Sequence, residues 1–326
     1  MSWIRLATAQ ALDLIQALVK DVEEVECFFG SGLYIKLRPT SDEEESRQVA
    51  ELIGLSEHCA RLSDLLTYPE VAAKQPYREV SGETVDWLGA SDWLRVASSV
   101  DCVDVDTGRF DESVVWCRPR WEFESQRSVL LSRLAAQLTV FSFVWGSFET
   151  ITKLIDPPRV PKRVKPGRTS LVDEAVFYLK NHFEPMPLPA FYDVILADFR
   201  ETLNGMPRYG NLSEEFRIRP FVGISGIGVH VVRGIRNKFA HGAMRMPLPE
   251  GWSRTIPLDV ELIGLSTRIV LLTIQMLLLA YFKGDHFAVD CLVDEWGVSR
   301  DEEIDIVLRK LHVRSLAVDR NQLSLF

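Results

Sequence analysis

Val231-Val232-Arg233-Gly234-Ile235-Arg236-Asn237-Lys238-Phe239-Ala240-His241-Gly242 is the stretch on which the reading of this chain turns. Ile224, Ile227, Val231, Ile235 and Phe239 recur at spacings of three or four, which predicts one helix with a buried apolar stripe. His230, Arg233, Asn237 and His241 recur at spacings of three, four and four, which puts them on another face, with Arg236 flanking it. Gly242 follows where a helix commonly stops. A helix that buries one side and gathers Arg, Asn and His on the other is a candidate for phosphate chemistry.

The surrounding chain is compatible with that chemistry. It has 326 residues, room for about two domains at roughly 150 residues each. A net charge of -9 argues against a general nucleic-acid coat. The acidity is local: residues 1–118 hold 22 Asp and Glu against 11 Lys and Arg, whereas the remainder holds 24 against 26. The half that carries the Arg-Asn-His helix is therefore mildly basic, which suits a polyanionic substrate. Five cysteines, at 27, 59, 102, 117 and 291, include no Cys-x-x-Cys and predict reduced, mostly buried thiols in a cytoplasmic protein. The first twenty residues lack a signal-peptide core. The most apolar run, Ile269 to Phe282, is shorter than the ~20 residues a membrane span needs and predicts a core helix.

Read in order, residues 3–24 predict a helix, and 25–37 a strand, a Gly30-Ser31-Gly32 turn and a second strand. Ser41-Asp42-Glu43-Glu44 is a capping-box pattern that would open a helix to about Leu66. Val96, Val100, Val103, Val105, Val114 and Val115 predict a hairpin over 94–118. Beyond Glu124 the pattern changes to long helices. One covers 125–155 and is stopped by Asp156-Pro157-Pro158. A linker from Pro157 to Arg168 carries four prolines and five basic residues, and reads as a solvated connection or a strap for RNA. Helices follow from Thr169 or Ser170 to about His182, over 191–203, within 214–240 and over 256–282. Ser299-Arg300-Asp301-Glu302 is a second capping-box pattern, and the tail from Leu316 to Leu323 predicts a strand. The expected organisation is an α+β domain at 1–120, a helical domain at 121–283 and a helix-and-strand extension at 284–326, mainly α as a whole.

Arg236-Asn237-Lys238-Phe239-Ala240-His241 resembles the signature of the HEPN superfamily, the higher eukaryote and prokaryote nucleotide-binding helical domains. The resemblance covers about half the chain, is specific at six residues, and otherwise rests on helix order. It implies an all-α up-and-down bundle, a homodimer, and a metal-independent endoribonuclease of the kind found among toxins and anti-phage effectors, with no cofactor. RNA would be the substrate, and an antitoxin or trigger-sensing partner would be expected. Arg236, Asn237 and His241 would be catalytic. Many members carry a Glu followed by a basic residue in the first helix, and Glu149 and Lys153, after a Trp-x-x-Phe, stand where that pair is expected. His230, Arg233 and Lys238 would extend the substrate contacts. A bacterial branch with a very similar phrase resembles transcriptional repressors of the mannitol-repressor type, so a catalytically inactive binding or regulatory protein is the alternative.

The chemistry agrees with the residue types. Metal-free RNA cleavage needs a base for the 2′-OH proton, charge at the phosphorane and an acid at the leaving oxygen. Histidine titrates in the right range, and arginine holds phosphate oxygens in a bidentate fork. Arg236 lies five positions from His241, about 140° round the helix, so it must reach round the edge. One chain supplies one well-placed His, so acid–base cleavage requires a two-fold pair. Competing motifs fail. Gly223, Gly226 and Gly228 have the wrong spacing for a dinucleotide fingerprint and suit close helix packing. Asp101, Asp104, Asp106 and Asp111 do not match an EF-hand loop. No Walker loop, nucleophile elbow or Cys/His metal spacing occurs.

Overall fold

The computed structural model describes residues 22–29, 33–39, 48–76, 78–80, 83–184, 186–206, 209, 212, 215–243, 245–249, 257–293 and 299–317. It is mainly helical. The helices are α1 (Leu55–Thr67), α2 (Trp87–Ser99), α3 (Arg118–Ile155), α4 (Leu171–His182), α5 (Tyr192–Asn204), α6 (Ile224–Ala240), α7 (Leu258–Tyr281) and α8 (Ile304–Lys310), with single helical turns at Pro69–Ala72 and Ser113–Trp116. The strands are β1 (Val22–Phe29), β2 (Leu33–Pro39), β3 (Gln48–Leu52), β4 (Arg78–Val80), β5 (Glu83–Val85), β6 (Ala288–Val293), β7 (Ser299–Glu303) and β8 (Val313–Ala317).

Two compact units result. One spans residues 54–311; the other holds the strands before residue 54 together with β8. In the smaller unit β1, β2, β3 and β8 form an antiparallel sheet in that order, with Cys27 opposite Ile35 and Ala50 opposite Ser315. The division differs from one near residue 120, because α2 packs on both α1 and α3 and binds the region from 54 onward into the helical unit.

The helical unit is built around α7. Every residue from Ile269 to Ala280 is buried, and the helix packs on α3, α5 and α6. By length and composition α3 and α7 could each cross a membrane, but 83% of the apolar window of α7 is buried within the fold, as a core helix requires. At 24 residues α7 matches the helix expected over 256–282, and Asp259 and Glu261 occupy its first turn, where carboxylates suit the helix dipole. Helix α3 runs for 38 residues and ends at Asp156, whose φ of 50° turns the chain into Pro157-Pro158. Helix α6 lies close to its neighbours through glycine: a Cβ on Gly226 would stand 2.7 Å from the Val176 side chain of α4, and one on Gly228 would stand 2.8 Å from Ile269 of α7.

A polar chain crosses this core. Arg268 donates to His58 Nδ1 at 2.9 Å, so His58 Nε2 carries the proton and donates to Gln275 Oε1 at 2.8 Å. Gln275 Nε2 in turn donates to the Leu308 carbonyl at 2.5 Å, which ties α1, α7 and α8 together. Burial lowers the Arg268 pKa to about 10, and beside it burial pushes the Cys59 thiol up to about 12, which makes that thiol inert. Cys102 and Cys117 are exposed, contrary to the expectation of mostly buried thiols.

Several local expectations change. The hairpin expected over 94–118 does not form: α2 runs to Ser99, residues 100–112 are a loop, and a helical turn at Ser113–Trp116 leads into α3. The buried Trp87, Ala90, Leu94 and Ala97 of α2 follow helical spacing, and Asp86 caps its N-terminus by accepting from Gly89 N at 2.8 Å. The helix expected from Ser41 to Leu66 begins at Leu55, since 48–52 pair with β8; the Ser41 capping pattern lies outside the described residues. The helix expected over 3–24 also lies outside them through residue 21, and 22–24 belong to β1. Ser299 opens strand β7, which pairs with β6, and helix α8 starts only at Ile304. The tail strand ends at Ala317, beyond which the expectation falls outside the described residues.

Candidate active site and the cavity beside it

Helix α6 carries the candidate residues, and its C-terminus sets their frame. His241 is the C-cap. Gly242, with φ of 63°, donates its N–H to the Phe239 carbonyl at 3.0 Å, and Ala243 donates to the Lys238 carbonyl at 2.8 Å. This pair of bonds is a Schellman motif, which satisfies the last carbonyls and stops the helix. It leaves His241 exposed on a fixed backbone. The buried stripe holds in its middle, at Ile227, Val231 and Ile235, and gives way at its ends: Ile224 is exposed and Phe239 half-buried.

Arg236 and Asn237 diverge from one another. The Arg236 guanidinium lies over the Trp145 ring of α3, 5.9 Å from its centroid. The indole N–H of Trp145 donates to Glu149 Oε1 at 2.7 Å. Arg236 and Glu149 are therefore joined through one aromatic side chain, an arrangement that a cation–π contact and a charge-assisted hydrogen bond both favour. Lys153 is exposed in the last turn of α3. Lys238 is half-buried with its ammonium over Tyr209, 4.9 Å from the centroid. Asn237 faces a different way, into a cavity that also takes in His230 and Arg233.

That cavity, of about 280 Å³, is bounded by Lys165, Glu215, Arg219, Phe221, His230 and Arg233 among others. The sequence placed His230 on a polar helix face; the structure buries it at 3% exposure. Its Nε2 lies 3.3 Å from Glu215 Oε2, which also accepts from Arg219 at 2.5 Å. A carboxylate only accepts, so the ring proton sits on Nε2. Burial lowers the His230 pKa to about 4, helped by the charges of Arg233 and Arg219, so the ring is neutral at pH 7 and Nδ1 is a bare acceptor. Nδ1 has no hydrogen-bond partner among the described residues.

Arg233 is held from below. It donates to Ser170 Oγ at 2.9 Å and to Asp173 Oδ1 at 2.8 Å. Ser170 and Asp173 form the reciprocal capping box that starts α4, as the sequence allowed for Ser170. Lys165, from the basic linker, closes on the other oxygen of Asp173 and lies over Phe221, 5.1 Å from the ring centroid. Burial would raise the Asp173 pKa, but the Lys165 and Ser170 hydrogen bonds and the Arg233 charge outweigh it and hold the carboxyl well below its usual range. The linker is thus anchored at Lys165 and buried at Val160, rather than solvated throughout.

The sequence reading brought His230, Arg233 and Asn237 to one face, and they do line one cavity. It also joined His241 to them, but His241 is eleven residues beyond His230, about 16 Å along a helix that rises ~1.5 Å per residue. Lys165, Asp173, Glu215, Arg219, Phe221 and Trp145 were not singled out as site residues. Three of them had a readable signal: Asp173 as the third residue after the Ser170 cap, Lys165 as part of the basic linker, and Trp145 as the start of the Trp-x-x-Phe before Glu149. No group of residues suited to hold a metal ion occurs among the described residues. Comparisons with family models, with curated proteins and with solved structures find no match to this chain, so the chemistry rests on these residues alone.

Proposed function

We propose that the chain is a metal-independent endoribonuclease of the HEPN type, acting in the cytoplasm as a homodimer and serving as a toxin or anti-phage effector. The observation that carries the reading is the linkage of Arg236 to Glu149 through Trp145, with His241 exposed on the capped end of the same helix. It joins the motif Arg to the first-helix Glu, two elements the sequence resemblance had paired only by position.

In this reading two copies of α6 meet so that each contributes Arg236 and His241 to one cleft. One His241 takes the proton of the RNA 2′-OH, and the 2′-oxygen attacks the adjacent phosphorus. The arginines hold the non-bridging oxygens as charge builds on the phosphorane. His241 of the partner subunit donates a proton to the departing 5′-oxygen. The products are a 2′,3′-cyclic phosphate and a 5′-OH. Asn237, one turn before His241, holds the ribose or orients the imidazole, and Trp145 and Glu149 position Arg236.

Expression in bacterial cells tests the reading. The wild type should arrest growth, and Arg236→Ala or His241→Ala should relieve the arrest at equal protein level. Tolerated expression of all three would favour the alternative, a catalytically inactive binding or regulatory protein. That alternative draws on one feature of the chain: it exposes a single histidine at the motif.

A further inference from the structure

His230, in the wall of the α6 cavity, lies about 16 Å along the helix from His241, so a group held against His230 is distinct from the phosphate cleaved at His241, while Asn237 borders both. The cavity walls carry three cations, Lys165, Arg219 and Arg233. None is sealed off: their side chains are 22%, 34% and 25% exposed. Two carboxylates, Asp173 and Glu215, face the three cations, and His230 between them is neutral, so one positive charge is left over.

The second feature is His230 itself. Its side chain is 1% exposed, it forms part of the cavity wall, and its Nδ1 lacks a donor. A buried acceptor without a donor costs stability unless something fills the role. An anion that brings its own proton answers both features at once: its oxygens meet the cations and, with a small turn of the buried His230 ring toward the cavity, its hydroxyl meets Nδ1. A phosphate monoester is such an anion, because its second proton leaves near pH 6, whereas sulfate and an internal phosphodiester carry no proton at neutral pH. If the proton instead moves to the ring, Nδ1–H donates to the dianion and the same contact is kept.

We propose that this cavity is a binding site for a phosphate monoester, with Lys165, Arg219 and Arg233 holding its oxygens and His230 sharing its proton. The volume, about 280 Å³, exceeds what a phosphate group alone needs, so the ester carries a further group into the opening that Asn237 borders. A free mononucleotide and the 5′-phosphate end of an RNA strand share this chemistry. The site does not depend on cleavage at His241.

Calorimetric titration of the full chain, done with the His241→Ala variant so that RNA stays intact, tests it. Inorganic phosphate and AMP should bind, and adenosine and sulfate should bind at least tenfold more weakly. Arg219→Gln should weaken AMP at least tenfold while leaving the thermal melting curve in place. If that variant fails to fold, ¹⁵N resonances of the His230 ring in the parent give the same answer: AMP should shift Nδ1 and adenosine should not. A 5′-phosphorylated oligoribonucleotide that binds tenfold more tightly than both AMP and its 5′-hydroxyl counterpart would identify an RNA end as the occupant. Equal binding of AMP and the phosphorylated strand would identify the free nucleotide. Equal affinities for AMP and adenosine, sulfate competing as well as phosphate, or a folded Arg219→Gln variant with unchanged affinity would overturn the proposal.

Discussion

Asp173 is the residue whose replacement reports most directly on how the site is held together. Its carboxylate is 1% exposed, pairs with Lys165 and Arg233, and completes the capping box with Ser170. In Asp173→Asn the shape stays and the charge goes. Removing one partner of a buried ion pair costs about 3–5 kcal/mol where the other is left without solvent. Here Lys165 and Arg233 keep 22% and 25% exposure, so hydration recovers part of that loss. A weakened cap adds about 1 kcal/mol. The expected destabilisation at pH 7 is therefore roughly 2–4 kcal/mol by urea denaturation followed through tryptophan fluorescence. The pH dependence has a definite sign. The folded pKa of Asp173 is depressed below the unfolded value of about 3.9, so its stabilisation is full above that value and is lost as pH falls toward the folded pKa. The gap between wild type and variant should narrow as pH drops from 5 to below 3. A second replacement, Arg233→Met, should cost less in the Asp173→Asn background than in the wild type. A loss under 1 kcal/mol at pH 7, or additive costs for the two replacements, would refute the account of this cluster.

Three further outcomes follow from the same structure. Because His230 is folded with a pKa near 4 against about 6.5 unfolded, the unfolded chain binds more protons between those values, and stability should fall as pH drops from 6.5 to 4; His230→Gln should flatten that segment of the denaturation profile. Gly226→Ala should destabilise the fold by about 1–3 kcal/mol, since its Cβ would stand 2.7 Å from Val176, and thermal denaturation would show whether α4 can move aside instead. Gln275→Leu takes from His58 Nε2–H and from the Leu308 carbonyl the partner they share in the core and should cost about 2–4 kcal/mol in urea titration, whereas a neutral effect would mean the α1–α7–α8 chain is dispensable.

The helical half was legible because its signals were local. The Asp156-Pro157-Pro158 stop, the Ser170 cap, the Gly242 end of α6 and the close-packing role of Gly226 and Gly228 all appear in the structure. The antiparallel pair at 22–39 was equally local, with strands that follow one another. What could not be read was pairing at a distance. Residues 48–52 look like part of a helix until β8, more than 260 positions later, takes them as a partner. The valines at 96, 100, 103 and 105 suggested a strand by residue type, but only Val96 lies in α2 and the apolar residues that α2 buries are Trp87, Ala90, Leu94 and Ala97. In the site, helical periodicity correctly placed His230, Arg233 and Asn237 together, but it treats every polar face as exposed. It could not show that Glu215 and Phe221 enclose His230, nor that Lys165 folds back from the linker onto Asp173. The contact of Arg236 with Trp145 depends on how α6 sits beside α3, which no spacing within either helix encodes.

The most direct test of the central claim is cleavage of a defined single-stranded RNA by purified full-length protein in EDTA, with the product ends identified. Cleavage is expected without added metal, with fragments ending in 2′,3′-cyclic phosphate and 5′-hydroxyl. Both Arg236→Ala and His241→Ala should lose at least about a hundredfold in rate, in line with the ~10²–10⁴-fold supplied by a positioned acid or base. Undiminished cleavage by His241→Ala would contradict the claim.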